Sequence, residues 1–517
     1  MTERIKVFGG PGCGKTTIIK EFYRKYMREG HTPCDITVLS FRKSAASDLI
    51  AATFSYANVD EVVLKKHVGT IHSICYRLIG YPETLEASDY NEFINTNNYG
   101  KYLKNPNASF SNSEESAYSG DMFDLYTWLR NTCTPFESWK RYPGIENIKM
   151  PAGKVPEFLK NYEEYKKNTG KIDFSDMLQT VIDEQIPLDT PILMVDEFQD
   201  FTAQMYKIFN MWVQKCDSVL VAADPNQSIY EFWGGKPEYY FDFRAVEIVR
   251  PETFRLTEQL KTFSHRVLKA AGMTAPETRA RASDGRCIYR IRYNDRFPVY
   301  DDEFHLVRCN YQAGAVALDL AKEGKLFTGL YGWSDGEIDA ANAIILIKRG
   351  KALHFNHVKA IINLFPAKVL GIKGSKADLI DSLEKKYTPQ LQTGTGILNA
   401  KVLDILFSSN PTRGMTRDGK LFKAKINGVK SRKETLTQKE ASGRKILTIH
   451  GAKGLEADVV FLHTAITPRI KKLIALSKKD KQAEARVWYV GVTRPKKLLY
   501  IVTDAGHNYQ LPGATLC

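Results

Sequence analysis

One octet constrains this chain more than any other feature. Gly9-Gly10-Pro11-Gly12-Cys13-Gly14-Lys15-Thr16 follows the apolar run Ile5-Lys6-Val7-Phe8 and precedes a helical pattern over residues 16–28 that Gly30 closes. The spacing G-x4-G-K-T between a strand and a helix is that of a phosphate cradle. Its glycines let backbone N–H groups wrap a β-phosphate at the helix N-terminus, Lys15 neutralises the β and γ oxygens, and the Thr16 hydroxyl completes the shell of a Mg2+ ion. Thr17 continues the motif. Cys13 reads as a small loop residue, because the eight cysteines form no C-x-x-C pair and suggest neither a zinc site nor a disulfide framework.

A cradle of this kind needs a parallel sheet behind it. Strand-like residues 36–41 and a helical pattern over 43–54 continue the opening, and the same grammar returns at Ile192-Leu193-Met194-Val195, the helix over 204–215 and Val219-Leu220-Val221-Ala222. The strand at 192–195 runs into Asp196-Glu197. Alone this is an ordinary strand-end charge pair. Beside a phosphate cradle, Asp196 is expected to hold Mg2+ through water and Glu197 to orient and deprotonate the attacking water of an ATP hydrolysis site. A second α/β series occupies 287–291, 304–307, 313–322, 445–449, 459–462, 484–492 and 498–502. The expected class is α/β, with a first lobe at 1–75 and 172–250, its insertion at 76–171, a second lobe at 251–330 and 444–517, and its insertion at 331–443. Within these insertions the polar stretch 95–120 reads as a surface loop and Asn427-Gly428 as a turn signal.

Length agrees, since 517 residues exceed one hydrophobic core. No apolar run approaches the ~20 residues of a membrane span, and Met1-Thr2-Glu3-Arg4 opens no secretory signal. The expectation is a cytoplasmic protein with no membrane partner. Lys and Arg outnumber Asp and Glu by 73 to 59, a net charge of +14, which favours a polyanionic partner such as nucleic acid.

Beyond the cradle and Asp196-Glu197-Phe198-Gln199-Asp200, the chain carries Ser40-Phe41-Arg42-Lys43-Ser44-Ala45-Ala46, Gly69-Thr70-Ile71-His72-Ser73 and Asp224-Pro225-Asn226-Gln227-Ser228-Ile229-Tyr230. Thr253-Phe254-Arg255, Thr448-Ile449-His450-Gly451-Ala452-Lys453-Gly454-Leu455-Glu456 and Tyr489-Val490-Gly491-Val492-Thr493-Arg494 follow. In this order they resemble the motifs of superfamily 1 DNA helicases of the UvrD/Rep/PcrA type. The resemblance implies two RecA-like lobes with parallel sheets closing on ATP. Gln227 would sense the γ-phosphate from the first lobe while Arg255 and Arg494, the latter the arginine finger, reach it from the second. Phe254 would cover the base and Glu456 meet the ribose. On DNA, Phe41, Tyr230, Phe232 and Trp233 would stack on bases, Arg42, Thr70 and His72 touch phosphates, and His450 link the DNA to the ATP site.

The implied activity is ATP-driven 3′→5′ translocation on single-stranded DNA and unwinding at junctions with duplex, by a monomeric motor. A translocase that displaces proteins with little unwinding and a nucleotide-switched DNA-binding protein are the alternatives. The chain departs from the pattern in several places. Only eight residues precede Gly9, so the glutamine-bearing adenine-recognition segment is expected to be missing. Phe254 stands where a tyrosine is usual, Ala223 replaces a glycine, and Trp233 sits where an arginine is common. The second insertion is expected to be shorter than in the large bacterial members, and the long C-terminal tail is expected to be missing. Two basic clusters, 413–433 and 470–481, are solvated faces or partner surfaces, and the first is expected to grip duplex DNA through Lys420, Lys423, Lys425 and Lys430.

Overall fold

The computed structural model describes residues 3–40, 61–103, 122–281, 287–292, 298, 300–372, 374–386, 402, 405–406, 419–503 and 506–511. Phe41, Arg42 and the helix expected over 43–54 lie outside the described residues, as does most of the expected loop at 95–120. Six strands form the first sheet: β1 (Glu3–Gly9), β2 (Ile36–Leu39), β3 (Val68–Gly69), β4 (Ile192–Val195), β5 (Ser218–Ala223) and β6 (Val246–Arg250). Their order is β3-β2-β4-β5-β1-β6, every ladder parallel. β7 (Glu252–Thr257) and β8 (Arg279–Arg281) make a small separate pair. The second sheet has order β11-β12-β10-β13-β14-β9, built from β9 (Ile288–Arg292), β10 (Glu303–Val307), β11 (Thr328–Gly329), β12 (Arg444–Thr448), β13 (Ala457–His463) and β14 (Pro495–Thr503), again all parallel. This is the α/β pair of RecA-like lobes.

Burial on both faces explains the strand sequences. β2 and β4 read Ile-Thr-Val-Leu and Ile-Leu-Met-Val with every residue buried, as a parallel sheet covered by helices demands. The helix Lys15–Arg28 covers one face through Ile18, Ile19, Tyr23 and Tyr26. Helices Ile71–Leu78, Phe174–Asp183 and Ala203–Val213 cover the other.

The two intervening stretches differ. The described residues between 85 and 162 pack into an aromatic core of their own around Phe93, Phe158 and Tyr162, and Lys166 fastens it to the helix Phe174–Asp183 by ion pairs of 3.1 Å to Asp173 and 2.7 Å to Asp176. The described residues between 326 and 441 share one core with the second-lobe helix Asn310–Lys322 and with β12. There Asn427-Gly428 is no turn. It lies inside the helix Lys420–Val429, whose Phe422, Ile426 and Val429 make one buried stripe, and a Cβ on Gly428 would stand 2.1 Å from the Ala321 carbonyl oxygen. The glycine permits close helix approach. Lys425, expected in the duplex grip, is buried and pairs with Glu337 at 2.8 Å, so it faces the core. A further departure is Ile229-Tyr230, which follows the first-lobe sheet in sequence yet packs in the second lobe's core with Leu256 and Phe263.

Candidate nucleotide-hydrolysing and DNA-binding site

Parallel β4, β5 and β1 are neighbours, so the segments leaving their carboxyl ends converge on one edge of the first sheet. The cradle leaves β1. Gly12 and Gly14 adopt φ of +73° and +74°, and Gly14 starts the helix Lys15–Arg28 without any side-chain cap, leaving the first-turn N–H groups directed at the loop. Lys15 Nζ donates to the Gly9 and Gly10 carbonyls at 2.8 and 3.1 Å, inside the loop's curve. From the other lobe, Thr253 Oγ1 donates to the Pro11 carbonyl at 2.7 Å and the Phe254 N–H to the Gly12 carbonyl at 3.0 Å. A Cβ on Gly12 would come within 2.6 Å of the Arg255 Cβ, so β7 rests directly on the cradle. Phe254 itself is 67% exposed beside it, free to cover a flat ring. Cys13 is buried, and Thr17 exposed on the first helical turn.

Beyond β4, Thr16 Oγ1 donates to Asp196 Oδ2 at 2.7 Å, bringing two hard oxygen ligands together next to the cradle. That donor set fits Mg2+. Burial and the neighbouring Glu197 charge raise the Asp196 pKa, a cost that a divalent cation offsets. Glu197 goes the other way: burial would raise it, but Lys453, Lys15 and a hydrogen bond from Gln199 hold it below the ordinary carboxylate range. It therefore stays a carboxylate, the form a general base needs. Glu197 also takes φ of +56°, a strained conformation for a side chain with a Cβ and one that marks functional positions.

From Glu197 a chain of hydrogen bonds crosses to the second lobe. Gln199 Nε2 donates to Glu197 while its Oε1 accepts the Asp224 N–H at 3.0 Å; Asp224 Oδ2 accepts from Gln227 Nε2 at 2.8 Å; Gln227 Oε1 accepts from Arg494 Nη2 at 3.1 Å. The residues expected as base, γ-phosphate sensor and finger are thus one connected unit. Burial, then the nearby Arg255, lowers the Arg494 pKa to about 9, which leaves it charged at neutral pH. Arg255 is held by Glu456 through Nε at 2.7 Å, so the residue expected at the ribose positions an arginine here. Gln199 and Asp224 had no role from sequence, since nothing local signals partners 25 residues apart. Lys453 was missed as well. It is 1% exposed, pairs with fully buried Asp200, donates to the Gln227 carbonyl at 2.7 Å and lies 3.6 Å from Glu197. Its place in a motif known for His450 and Glu456 was the available clue.

The expected DNA contacts separate into three groups. Trp233 is 39% exposed and Phe232 half-buried, their rings edge to face at 5.6 Å. Tyr230 is 5% exposed, so its ring supports Trp233 from the core and cannot offer a face to a base. His450 is likewise buried, edge-on to Phe232 at 5.6 Å, which excludes a direct DNA contact while setting it beneath the exposed pair. Burial lowers its pKa to about 4 and keeps it neutral. Thr70 caps the helix Ile71–Leu78 by accepting the Ser73 N–H at 3.2 Å, and half-buried His72 meets exposed Phe174 edge to face at 6.1 Å. These two share a ledge at the carboxyl end of β3.

The family model of the UvrD/REP helicase N-terminal domain matches residues 1–246, and that of the UvrD-like helicase C-terminal domain matches 424–505. The chain belongs to the UvrD/Rep helicase family. Family relatives include ATP-dependent DNA helicase PcrA of Staphylococcus epidermidis, 21% identical over 96% of this chain and 80% of its own length. A probable DNA helicase of Mycoplasma pneumoniae is 21% identical over 97% of this chain and 81% of its own. Putative ATP-dependent DNA helicase YjcD of Bacillus subtilis is 22% identical over 57% of this chain and 40% of its own length. The chain thus spans about two fifths of YjcD and of the mycobacterial UvrD2 relatives. No helix among the described residues is long and apolar enough to cross a membrane.

Proposed function

We propose that this chain is an ATP-hydrolysing DNA helicase that steps 3′→5′ along single-stranded DNA and opens junctions with duplex. The observation that carries the reading is the hydrogen-bond chain from Glu197 to Arg494, because it makes the hydrolytic base and the finger of the opposite lobe answer to the same γ-phosphate. The polarity comes from family kinship.

Thr16 and Asp196 would hold Mg2+, which when bound neutralises charge on the β and γ oxygens. Glu197 takes a proton from the attacking water at its carboxylate. Gln227 fixes the γ oxygens, while Arg494 and Arg255 meet the charge that develops as the phosphoryl group leaves. Coupling to DNA runs through residues 449–456. Because β12 and β13 are parallel, this connection must return from the carboxyl edge of the sheet, where His450 lies under Phe232, to the amino edge, where Glu456 grips Arg255. Lys453 sits midway on the first lobe's Asp200. Closing and opening the nucleotide cleft thereby moves the Phe232-Trp233 step.

The test is steady-state ATP hydrolysis with and without single-stranded DNA, then strand separation on duplexes with 3′ or 5′ tails. DNA-stimulated hydrolysis lost in Lys15→Ala and Glu197→Gln, with unwinding of the 3′-tailed substrate, supports the motor. Negligible hydrolysis under all conditions overturns it in favour of a nucleotide-switched DNA-binding protein, and hydrolysis without strand separation favours a protein-displacing translocase. We propose that the functional units follow the four-part division into two lobes and two insertions, that the motor is monomeric, and that it works in the cytoplasm wherever its DNA resides.

A further inference from the structure

The helix Pro468–Leu476 and the start of Lys478–Val492 form a strongly basic surface that the nucleotide chemistry leaves unused. No residue of the first helix is buried. It rests on the second lobe through half-buried Ile470 and Ile474, in the same cluster that Phe232 packs against. Lys471, Lys472, Lys478, Lys479 and Lys481 are exposed, and Asp480 is the lone acid between residues 464 and 483. Among the described residues, no carboxylate pairs with Lys472, Lys478, Lys479 or Lys481.

The position of these lysines is fixed by their neighbours. Arg486, midway along the second helix, pairs with Glu231 in the turn that presents Phe232 and Trp233, and nearer its start Gln482 Nε2 donates to the Ala271 carbonyl at 3.4 Å, at the end of the helix Glu258–Ala270. Burial raises the Glu231 pKa while the charges of Arg486 and Lys479 pull against it, which sets Lys479 close to that turn. Arg469 reaches Glu146 of the first insertion at 3.3 Å, so the basic surface borders the gap between the lobes. Unpaired ammonium groups beside exposed aromatic rings are what a single strand requires, with bases stacked on one side and phosphates held on the other.

Resting on the motor reading above, we propose that Lys472, Lys478, Lys479 and Lys481 bind the backbone phosphates of single-stranded DNA as it passes the Phe232-Trp233 step. Solvent-exposed Leu473 and Leu476, 40% and 74% exposed, give the same surface apolar contacts for sugars.

Fluorescence anisotropy over a salt series tests this with the full chain, an oligothymidine and a blunt duplex of equal length. Replacing the four lysines by glutamate should weaken oligothymidine binding by about tenfold or more and flatten the plot of log K against log salt by roughly 2–3, from ~0.7 per phosphate contact. Replacing them by arginine should restore both, and DNA-free ATP hydrolysis should stay the same in each. Unchanged affinity and slope for the glutamate variant would overturn the inference. So would a loss confined to the blunt duplex, or a variant defect seen only with an acidic protein partner. Failure of the wild type to bind any DNA would instead overturn the motor reading, whereas weakening by Trp233→Ala but not by the lysine changes would sink this inference alone.

Discussion

The two lobes share six parallel strands and helices on both faces, yet they treat the corner after the strand nearest their ligand edge in opposite ways. After β1 the chain passes through glycines, and the helix Lys15–Arg28 begins with no side chain capping it. After β10 the chain passes through Arg308 and Cys309, whose N–H groups both donate to Gln312 Oε1 at 3.0 Å. Arg308 is diverted sideways into a two-pronged pair with Glu484 at 2.9 and 3.0 Å. The Gln312 side chain therefore occupies the backbone donors of the corner that leads into the helix Asn310–Lys322, and that corner has little to offer a phosphate. The difference teaches that the fold was repeated but the site was not. On the proposed reading, one lobe binds the nucleotide, and the other supplies arginines through Arg255, Arg494 and the connection 449–456.

If that division of labour is right, Arg494→Lys produces the largest effect. A lysine lacks the fork that holds Gln227 while facing the phosphate, so kcat for ATP should fall by about 10³-fold or more with nucleotide affinity nearly unchanged. Steady-state hydrolysis beside a nucleotide titration reads both, and an unchanged kcat would break the comparison. Next comes Lys453→Met, which strands fully buried Asp200 without its cation and should cost about 3–5 kcal/mol in denaturant unfolding. Adding Asp200→Asn should recover much of that loss. A single variant as stable as wild type would mean the lobes are not joined through this ion pair.

What could be read in the sequence follows the same divide. The cradle was legible because only glycines tolerate its backbone, and β4 because a fully buried parallel strand is continuously apolar. Tyr230 was not, since an aromatic ring in a motif looks the same whether it faces a base or a core. Lys425 looked like one more charge in a basic run, and its partner Glu337 is 88 residues away. Asn427-Gly428 carries the composition of a turn, but the helix around it is set by Phe422, Ile426 and Val429 packing against Asn310–Lys322. The relay through Gln199 and Asp224 depends on three-dimensional neighbours that no spacing rule foretells.

Gly428→Ala sharpens the comparison on the second lobe. Its Cβ would press on the Ala321 carbonyl oxygen at 2.1 Å, and separating those helices should cost about 1–3 kcal/mol. Melting that leaves nucleotide binding by the first lobe intact is the expected result; an unaltered melting temperature would show that the two helices can part freely.

Acid should pull the lobes apart by a smaller amount per group. His305, His450 and His463 are buried in the second lobe, and burial lowers the pKa of each. Unfolded histidine titrates near ~6.5. The unfolded chain thus binds more protons than the folded one between about 6.5 and the folded values, and stability present above that window is lost as pH falls through it. At a pH about one unit below the unfolded value, the loss is about 1.4 kcal/mol for His450, whose pKa burial lowers to about 4, and His305 and His463 add losses of the same sign. In the first lobe, burial raises the carboxyls of Asp196 and Asp224, so the folded state takes up protons first and gains stability as pH falls, with Glu197 working against them. Hydrogen exchange at neutral and mildly acidic pH should therefore show amides of β10, β12 and β13 losing protection before those of β1, β4 and β5. Equal loss in both sheets would mean that the histidines find solvent or partners on opening without unfolding the lobe, and that the contrast between the lobes is confined to their nucleotide chemistry.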